Sequence, residues 1–279
     1  MVKVIETGFS HLTKQNLENI NKEIELENVD WPFAVEGKEG SGKSALAQAL
    51  GIEIDGEHFD PEEQIAFSGE DFERKAKKIG ADPKRKVVIY DEGVDDLMAT
   101  DTMTSQSRKR VKFLRQCREL NLVIILVMPV FAEMNKKIRN NRVKTVARCM
   151  KKGQPGNRTR YVLWYGEETL KEIEKDGDSI SYPSSNASDQ WSDPEQEWPE
   201  IWKKYIDMKE GNLTDDSENE EEQISVPEIV RIVKNRKEDY IDEYQGNKYI
   251  SKELIEYDFD IGGRKSKKVK KVVERDLSL

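Results

Sequence analysis

A mostly parallel α/β sheet followed by a small helical unit is the fold class this chain predicts, and three observations predict it. Apolar runs of strand length alternate with helix-length stretches over roughly the first 165 residues, which calls for right-handed crossovers and a sheet covered on both faces. The first run, Trp31-Pro-Phe-Ala-Val35, leads into Gly37-Lys-Glu-Gly-Ser-Gly-Lys-Ser44, and residues 45–50 then open a helix. Strand, glycine-rich loop and helix in that order carry more weight than the loop pattern alone. From residue 225 the texture changes to short helical segments ending in a lysine-rich one.

Taken in order, residues 64–68 predict a second strand and 69–79 a helix. Lys86-Val-Val-Ile-Tyr90 is a third strand, ending in Asp91-Glu92. Residues 105–120 read as a helix and 121–129 as a fourth strand. Residues 143–151 and 159–164 flank Gly153-Gln-Pro-Gly-Asn157, the pattern of a β-hairpin that closes the domain. Between 175 and 223 Asp, Ser, Asn, Pro and Gly dominate, and 215–222 is nearly all acidic, so a linker or loosely ordered arm is expected. Trp191, Trp198, Trp202 and Tyr205 interrupt it, which predicts a short helix packed back on the first domain. Helices are then expected over 226–244, 251–257 and 263–276. The boundaries are 1–175 for the α/β domain, 176–224 for the acidic, tryptophan-containing linker and 225–279 for a helical domain.

The 279 residues suffice for one sizeable α/β domain and a small second one. Hydrophobic and charged residues each make up 36% of the chain, so the core is compact and much of the surface is charged. No stretch approaches the roughly 20 apolar residues that span a bilayer, and the N-terminus lacks a basic-then-apolar signal, so a soluble cytoplasmic protein without a membrane partner is expected. Cys117 and Cys149 are the two cysteines and His11 and His58 the two histidines. They form no metal-ligand spacing, and both thiols read as buried packing.

Gly37, Lys38, Glu39, Gly40, Ser41, Gly42, Lys43, Ser44 and Ala45 make up the expected nucleotide-binding segment. Its glycines turn the backbone so that successive N–H groups and the helix N-terminus face a β-phosphate, which implies ATP or GTP. Lys43 reaches the β- and γ-phosphates, and Ser44 offers its hydroxyl to Mg2+. Asp91, at a strand end, is the second expected Mg2+ group, and Glu92 is placed to polarise the water that attacks the γ-phosphate. Arg139 and Arg142, in Lys136-Lys-Ile-Arg-Asn-Asn-Arg142, are candidate arginine fingers for a nucleotide on a neighbouring subunit, a solvated basic helix face being the alternative.

The formal net charge is −9, yet residues 108–160 hold sixteen lysines and arginines against Glu119 and Glu133. Segregation on this scale suits a nucleic-acid phosphate surface, with Lys151, Lys152, Arg158 and Arg160 of the hairpin as contacts. The alternative is a solvated surface balanced by the acidic arm. A second basic cluster, Arg264-Lys-Ser-Lys-Lys-Val-Lys-Lys271, shares its segment with apolar Val269, Val272, Val273 and Leu277. With Tyr249, Tyr257 and Phe259 as core, that outline is helix-turn-helix-like, with DNA contact through Lys267, Lys268, Lys270 and Lys271 or, alternatively, protein docking.

Residues 31–44, Val87-Val-Ile-Tyr-Asp-Glu92 and Arg118-Glu-Leu-Asn-Leu-Val-Ile-Ile-Leu-Val-Met-Pro129 with Ile138-Arg-Asn-Asn-Arg142 together resemble the zonular occludens toxin-like ATPases of phages and plasmids. These are relatives of FtsK- and HerA-type translocases within the additional-strand, catalytic-glutamate P-loop NTPases. The resemblance implies a Mg2+-dependent ATPase in a bacterial or archaeal host cell that assembles as a homo-oligomeric ring, often a hexamer, and moves or remodels DNA in packaging, replication or mobilisation. The chain departs from that group at Met128-Pro129, where such translocases commonly carry a polar sensor, and in having no membrane segment. An initiator or helicase-loader-like ATP switch, a small-molecule kinase and a non-catalytic DNA-binding regulator are the other readings.

Overall fold

The computed structural model describes residues 6–91, 97, 105–154, 157–176, 179–222, 226–244, 247–259 and 263–277. They fall into two compact units, Met1–Glu210 and Gly211–Leu279. The first unit starts with a helix that the sequence reading did not cover, α1 (His11–Glu27). Ser10 caps it, its hydroxyl accepting from the Thr13 N–H at 3.4 Å, and Asn28 ends it in the left-handed region at φ 54°. Leu17 and Ile24 point inward from it.

Strand β1 (Trp31–Glu36) then enters the phosphate loop, and α2 (Lys43–Asp55) leaves it. Ala and Leu, both strong helix formers, fill α2, and Ala45, Leu46, Ala49 and Leu50 are buried. Next come α3 (Pro61–Gln64), β2 (Ile65–Ala66), α4 (Gly69–Gly80) and β3 (Val87–Tyr90). Ser68 caps α4, Glu70 and Asp71 stand in its first turn and Lys77 and Lys78 in its last, each charge matched to the helix dipole. Helix α5 (Ser105–Gln116) passes through a 3-10 turn at Cys117–Leu120 to β4 (Val123–Met128). A second turn, Phe131–Glu133, and α6 (Lys136–Asn141) lead to the hairpin of β5 (Thr145–Gln154) and β6 (Asn157–Tyr165). After α7 (Glu167–Leu170) come β7 (Glu174–Asp176) and β8 (Ser179–Ser181), then β9 (Ala187–Asp189), α8 (Pro194–Glu197) and α9 (Pro199–Glu222).

The main sheet runs β2-β3-β4-β1-β5-β6-β9. From β2 to β5 every pairing is parallel, with Val35 opposite Val127 and Glu36 opposite both Met128 and Arg148. The β5–β6 and β6–β9 pairings are antiparallel. Strands β3 and β4 are buried along their whole length, which is why they read as unbroken apolar runs. One face packs Phe72, Ile79, Leu114, Phe131 and Ile138. The other packs Leu17, Ile24, Leu46, Leu50, Trp191, Trp198 and Tyr205.

Two expectations are corrected here. The stretch 176–224 is not one linker. Its β9 extends the main sheet, and Trp191, Trp198 and Tyr205 are buried in the first unit, because three large aromatics supply enough apolar area to hold a polar segment down. The second unit is also not purely helical. The helix expected over 226–244 ends early, giving α10 (Val226–Asn235), α11 (Lys237–Tyr240) and a hairpin of β10 (Ile241–Tyr244) and β11 (Asn247–Ile250). Then follow α12 (Lys252–Phe259) and α13 (Gly263–Leu277). Ile229, Val233, Tyr240, Ile250, Ile255, Val269 and Val273 form its core.

Candidate functional site

The glycine loop and Asp91 lie at the carboxyl ends of β1 and β3, the edge at which open parallel sheets bind ligands. In the loop, Gly42 has φ +95°, and a methyl group on it would lie 3.0 Å from both Arg160 Cδ and Trp191 Cζ2. Only glycine fits there, on conformation and on space. Gly37 is as tight: a methyl group would stand 2.7 Å from the Cys149 carbonyl oxygen and 2.7 Å from Ser41 Oγ. The Ser41 N–H donates to the Lys38 carbonyl at 3.0 Å, and the Leu46 N–H to the Gly42 carbonyl at 2.9 Å, so the loop passes directly into the first turn of α2.

Lys43 Nζ folds back over the loop and donates to the Lys38 carbonyl oxygen at 3.3 Å. Lys38, Glu39 and Gly40 are exposed, Lys43 and Ser44 half-buried and Ala45 buried. The Ser41 hydroxyl is buried with no hydrogen-bond partner. A close-backed cradle, a buried orphan hydroxyl and a lysine resting on a backbone carbonyl fit a bound polyphosphate, with Ser44 and Asp91 as oxygen donors for Mg2+.

Asp91 is 2% exposed at the end of β3, and its Oδ2 accepts from the Tyr205 hydroxyl at 2.9 Å. Glu92, the expected water activator, lies outside the described residues. Strand β4 separates β3 from β1, so Asp91 stands about 10 Å across the sheet from the start of the loop. A glycine cradle on β1, an acid on β3 and one further strand between them decide the class. The fold is that of a P-loop NTPase with the additional strand.

No protein-family model matches the chain, and no curated protein does. Several solved structures are similar to parts of it. One is the N-terminal domain of zonular occludens toxin from Neisseria meningitidis, at 16% identity over 57% of this chain and 96% of that one, with a TM-score of 0.33. Another is a KaiC-like protein from the hyperthermophilic archaeon Pyrococcus horikoshii, at 14% identity over 60% of this chain and 89% of that one, with a TM-score of 0.37. The fold assignment rests on the strand order and the loop. Among the described residues no helix is long and apolar enough to cross a membrane, and no histidine, cysteine and carboxylate group gathers as a metal site.

The two finger candidates each have partners within the chain. Arg142 forms an ion pair with Asp30, which is 2% exposed just before β1, and its Nε donates to the Leu114 carbonyl at 2.8 Å. It is a clamp at the amino edge of the sheet, about seven residues or 23 Å from the loop along β1. Arg139 Nη1 donates to the Ala132 carbonyl at 2.7 Å, closing the turn after β4.

The basic block also divides. Arg110 is buried against Glu73. Arg148 lies 3.5 Å over the Tyr182 ring and 3.7 Å from Glu36 Oε1. Arg108, Lys109, Lys112, Arg115 and Arg118 are exposed on α5 and its following turn. Lys151, Lys152 and Arg160 are exposed on the hairpin, and the Arg158 side chain lies outside the described residues. In the second unit Lys267, Lys268 and Lys271 are exposed on α13, whereas Lys270 lies 4.7 Å over the Tyr249 ring.

Three residues of this edge escaped the sequence reading. Tyr205 and Trp191 were visible only as aromatics in a polar segment. Glu36 was visible only as an acid closing an apolar strand. The Glu36 carboxylate is buried, accepting from the Phe131 N–H at 2.8 Å and the Tyr182 hydroxyl at 3.1 Å. Burial pushes it above the usual glutamate range, although those two donors and Arg148 pull the other way. With the Gly37 N–H donating to the Pro129 carbonyl at 3.3 Å, Glu36 ties the Met128-Pro129 corner to the loop. Cys117 and Cys149 are both buried, which pushes each thiol up to about 12. His11 starts α1, and His58 contributes its carbonyl to Arg85.

Proposed function

We propose that the chain is an ATP-hydrolysing, DNA-associated motor or remodelling ATPase. The observation that carries the ATPase reading is the glycine cradle with Lys43 and Ser44 on one strand end and the buried Asp91 carboxylate on another, facing the same edge of the sheet. In this reading the loop amides and Lys43 hold the β- and γ-phosphates, and Ser44 and Asp91 hold the metal. Bound Mg2+ supplies charge neutralisation on the phosphoryl oxygens. Glu92, immediately after Asp91, takes the proton of the attacking water.

Support for the DNA part comes from the exposed row Arg108, Lys109, Lys112, Arg115 and Arg118, and from the exposed lysines of α13. The ring assembly and the phage or mobile-element setting rest on the sequence resemblance alone.

The test is the ATPase rate with and without duplex and single-stranded DNA, alongside mass by light scattering. Lys43→Ala should abolish nucleotide binding, and Glu92→Gln should keep binding while losing orders of magnitude in turnover. Parental turnover in Glu92→Gln would remove Glu92 from its role. Turnover indifferent to DNA in a strictly monomeric protein would remove the motor.

A further inference from the structure

Strand β5 is longer than β1, and that difference has a chemical result. Pairing places Glu36 opposite Arg148, so β5 carries on past the end of β1 and runs beside the loop, where the Cys149 carbonyl backs Gly37. Side chains alternate along the strand. Ala147 and Cys149 pack with the α2 layer, which puts Lys151 on that same face, and Lys151 pairs directly with Arg160 of β6.

Both cations therefore stand over the loop. A methyl group on Gly40 would lie 3.4 Å from Lys151 Nζ, and one on Gly42 would lie 3.0 Å from Arg160 Cδ and 3.5 Å from its Nε. Trp191 closes the other side of Gly42 and is itself 8% exposed, so the indole limits where the guanidinium can go. Like charges directly opposite on adjacent strands repel, and among the described residues neither cation is ion-paired with a carboxylate. Lys43 adds a third positive charge at the same place. Two of the three, Lys43 and Arg160, also act on the neighbouring Cys149 thiol, pulling against the burial that raises it.

Resting on the ATPase reading above, we propose that Lys151 and Arg160 bind the terminal phosphates of a nucleoside triphosphate held in the loop of their own subunit. A polyanion between them relieves the cross-strand repulsion, and a guanidinium next to the Lys43 site stabilises the charge that builds on the transferring phosphoryl group. The chain thus carries in cis the cation that the sequence reading sought on a neighbouring subunit. Lys151 and Arg160 accordingly leave the set of expected DNA contacts.

The experiment titrates the full chain with N-methylanthraniloyl-labelled ATP and ADP and follows melting without nucleotide. Lys151→Met and Arg160→Met keep the hydrocarbon stems and remove the charges. Each should weaken triphosphate binding about tenfold or more, and the pair about a hundredfold, with diphosphate binding changed far less. The nucleotide-free Arg160→Met protein should melt no lower than the parent, because a repulsive pair has gone; a merely structural arginine would lower it. Lys152→Met, one residue along and on the opposite face, should bind as the parent does. If the double variant binds the triphosphate like the parent while Lys43→Ala does not bind it, the cis clamp is overturned and the ATPase reading stands. If Lys43→Ala also binds like the parent, the ATPase reading falls and the clamp with it.

Discussion

Replacing Tyr205 by Phe isolates one hydroxyl beside the buried Asp91 carboxylate. The ring itself is held by Trp202, centroid 5.1 Å away, and by Phe67 at 5.8 Å, and phenylalanine preserves both contacts. What is lost is the donor to Asp91 Oδ2 at 2.9 Å, in a pair whose members are each 2% exposed. A hydrogen bond to a charged group contributes about 1.5–3 kcal/mol, and a buried acceptor left short of a donor carries its own desolvation cost. For a unit of this size 2 kcal/mol corresponds to a fall in Tm of about 4–8 °C.

Because Asp91 is also the expected Mg2+ group, Tyr205 acts as an outer-shell partner that orients it. Loss of such a partner weakens metal affinity by about 10–100-fold. The assays are thermal unfolding followed by circular dichroism and a Mg2+ titration of labelled-nucleotide binding. A cycle with Asp91→Ala should show strong non-additivity, since both changes remove the same bond. A Tyr205→Phe protein that melts within about 1 °C of the parent, with the same Mg2+ midpoint, would refute the reasoning; one Tm degree is well under the expected loss.

Arg142→Ala should destabilise the protein by about 3–5 kcal/mol, because Asp30 stays buried without its partner, while the nucleotide affinity of the remaining folded fraction is unchanged. Denaturant unfolding alongside nucleotide titration checks it, and an active-site phenotype without a stability loss would restore Arg142 as a finger. Glu36→Gln tests pH linkage. The carboxyl sits above its unfolded value, so the folded state resists its ionisation, and stability falls as pH rises from the unfolded pKa of about 4.3 up through the folded one. The glutamine variant should therefore gain stability over the parent as pH rises from 4 to 7, and a constant difference would show that Glu36 ionises as freely as in the unfolded chain.

The sheet was legible because its strands advertise themselves. Val87-Val-Ile-Tyr90 and Val123–Met128 are buried on both faces, and such strands must be apolar throughout. Strand β2 was legible only in outline, since two paired residues, Ile65 and Ala66, carry no period of their own. In the second unit the residues around Ile241–Tyr244 and Asn247–Ile250 mix polar and apolar positions, and a short hairpin of that kind is hard to separate from the helix before it. The phosphate loop was legible because its chemistry is local: nine consecutive residues do one job. The clamp of Arg142 on Asp30 and the hydroxyl of Tyr205 on Asp91 join positions 112 and 114 residues apart. Charge spacing alone showed Arg142 as a cation near the fourth strand, and only the register of the sheet shows which edge it serves.

The late burial of Trp191 and Tyr205 bears on how the chain is made. During synthesis the amino-terminal segments emerge first, at about 5–20 residues per second. The loop and Asp91 leave the ribosome well before the indole and phenol that pack on them. Until residue 205 is out, the face bearing α2 lacks part of its apolar cover and Asp91 has yet to meet the Tyr205 hydroxyl. Closure over that span is non-local, hence entropically slow. A fragment cut at residue 175, where the composition changes, would carry the full nucleotide motif and still leave that face bare, whereas one ending at Glu210 keeps it covered. The boundary that matters for producing this protein is therefore set by where its aromatic cover ends.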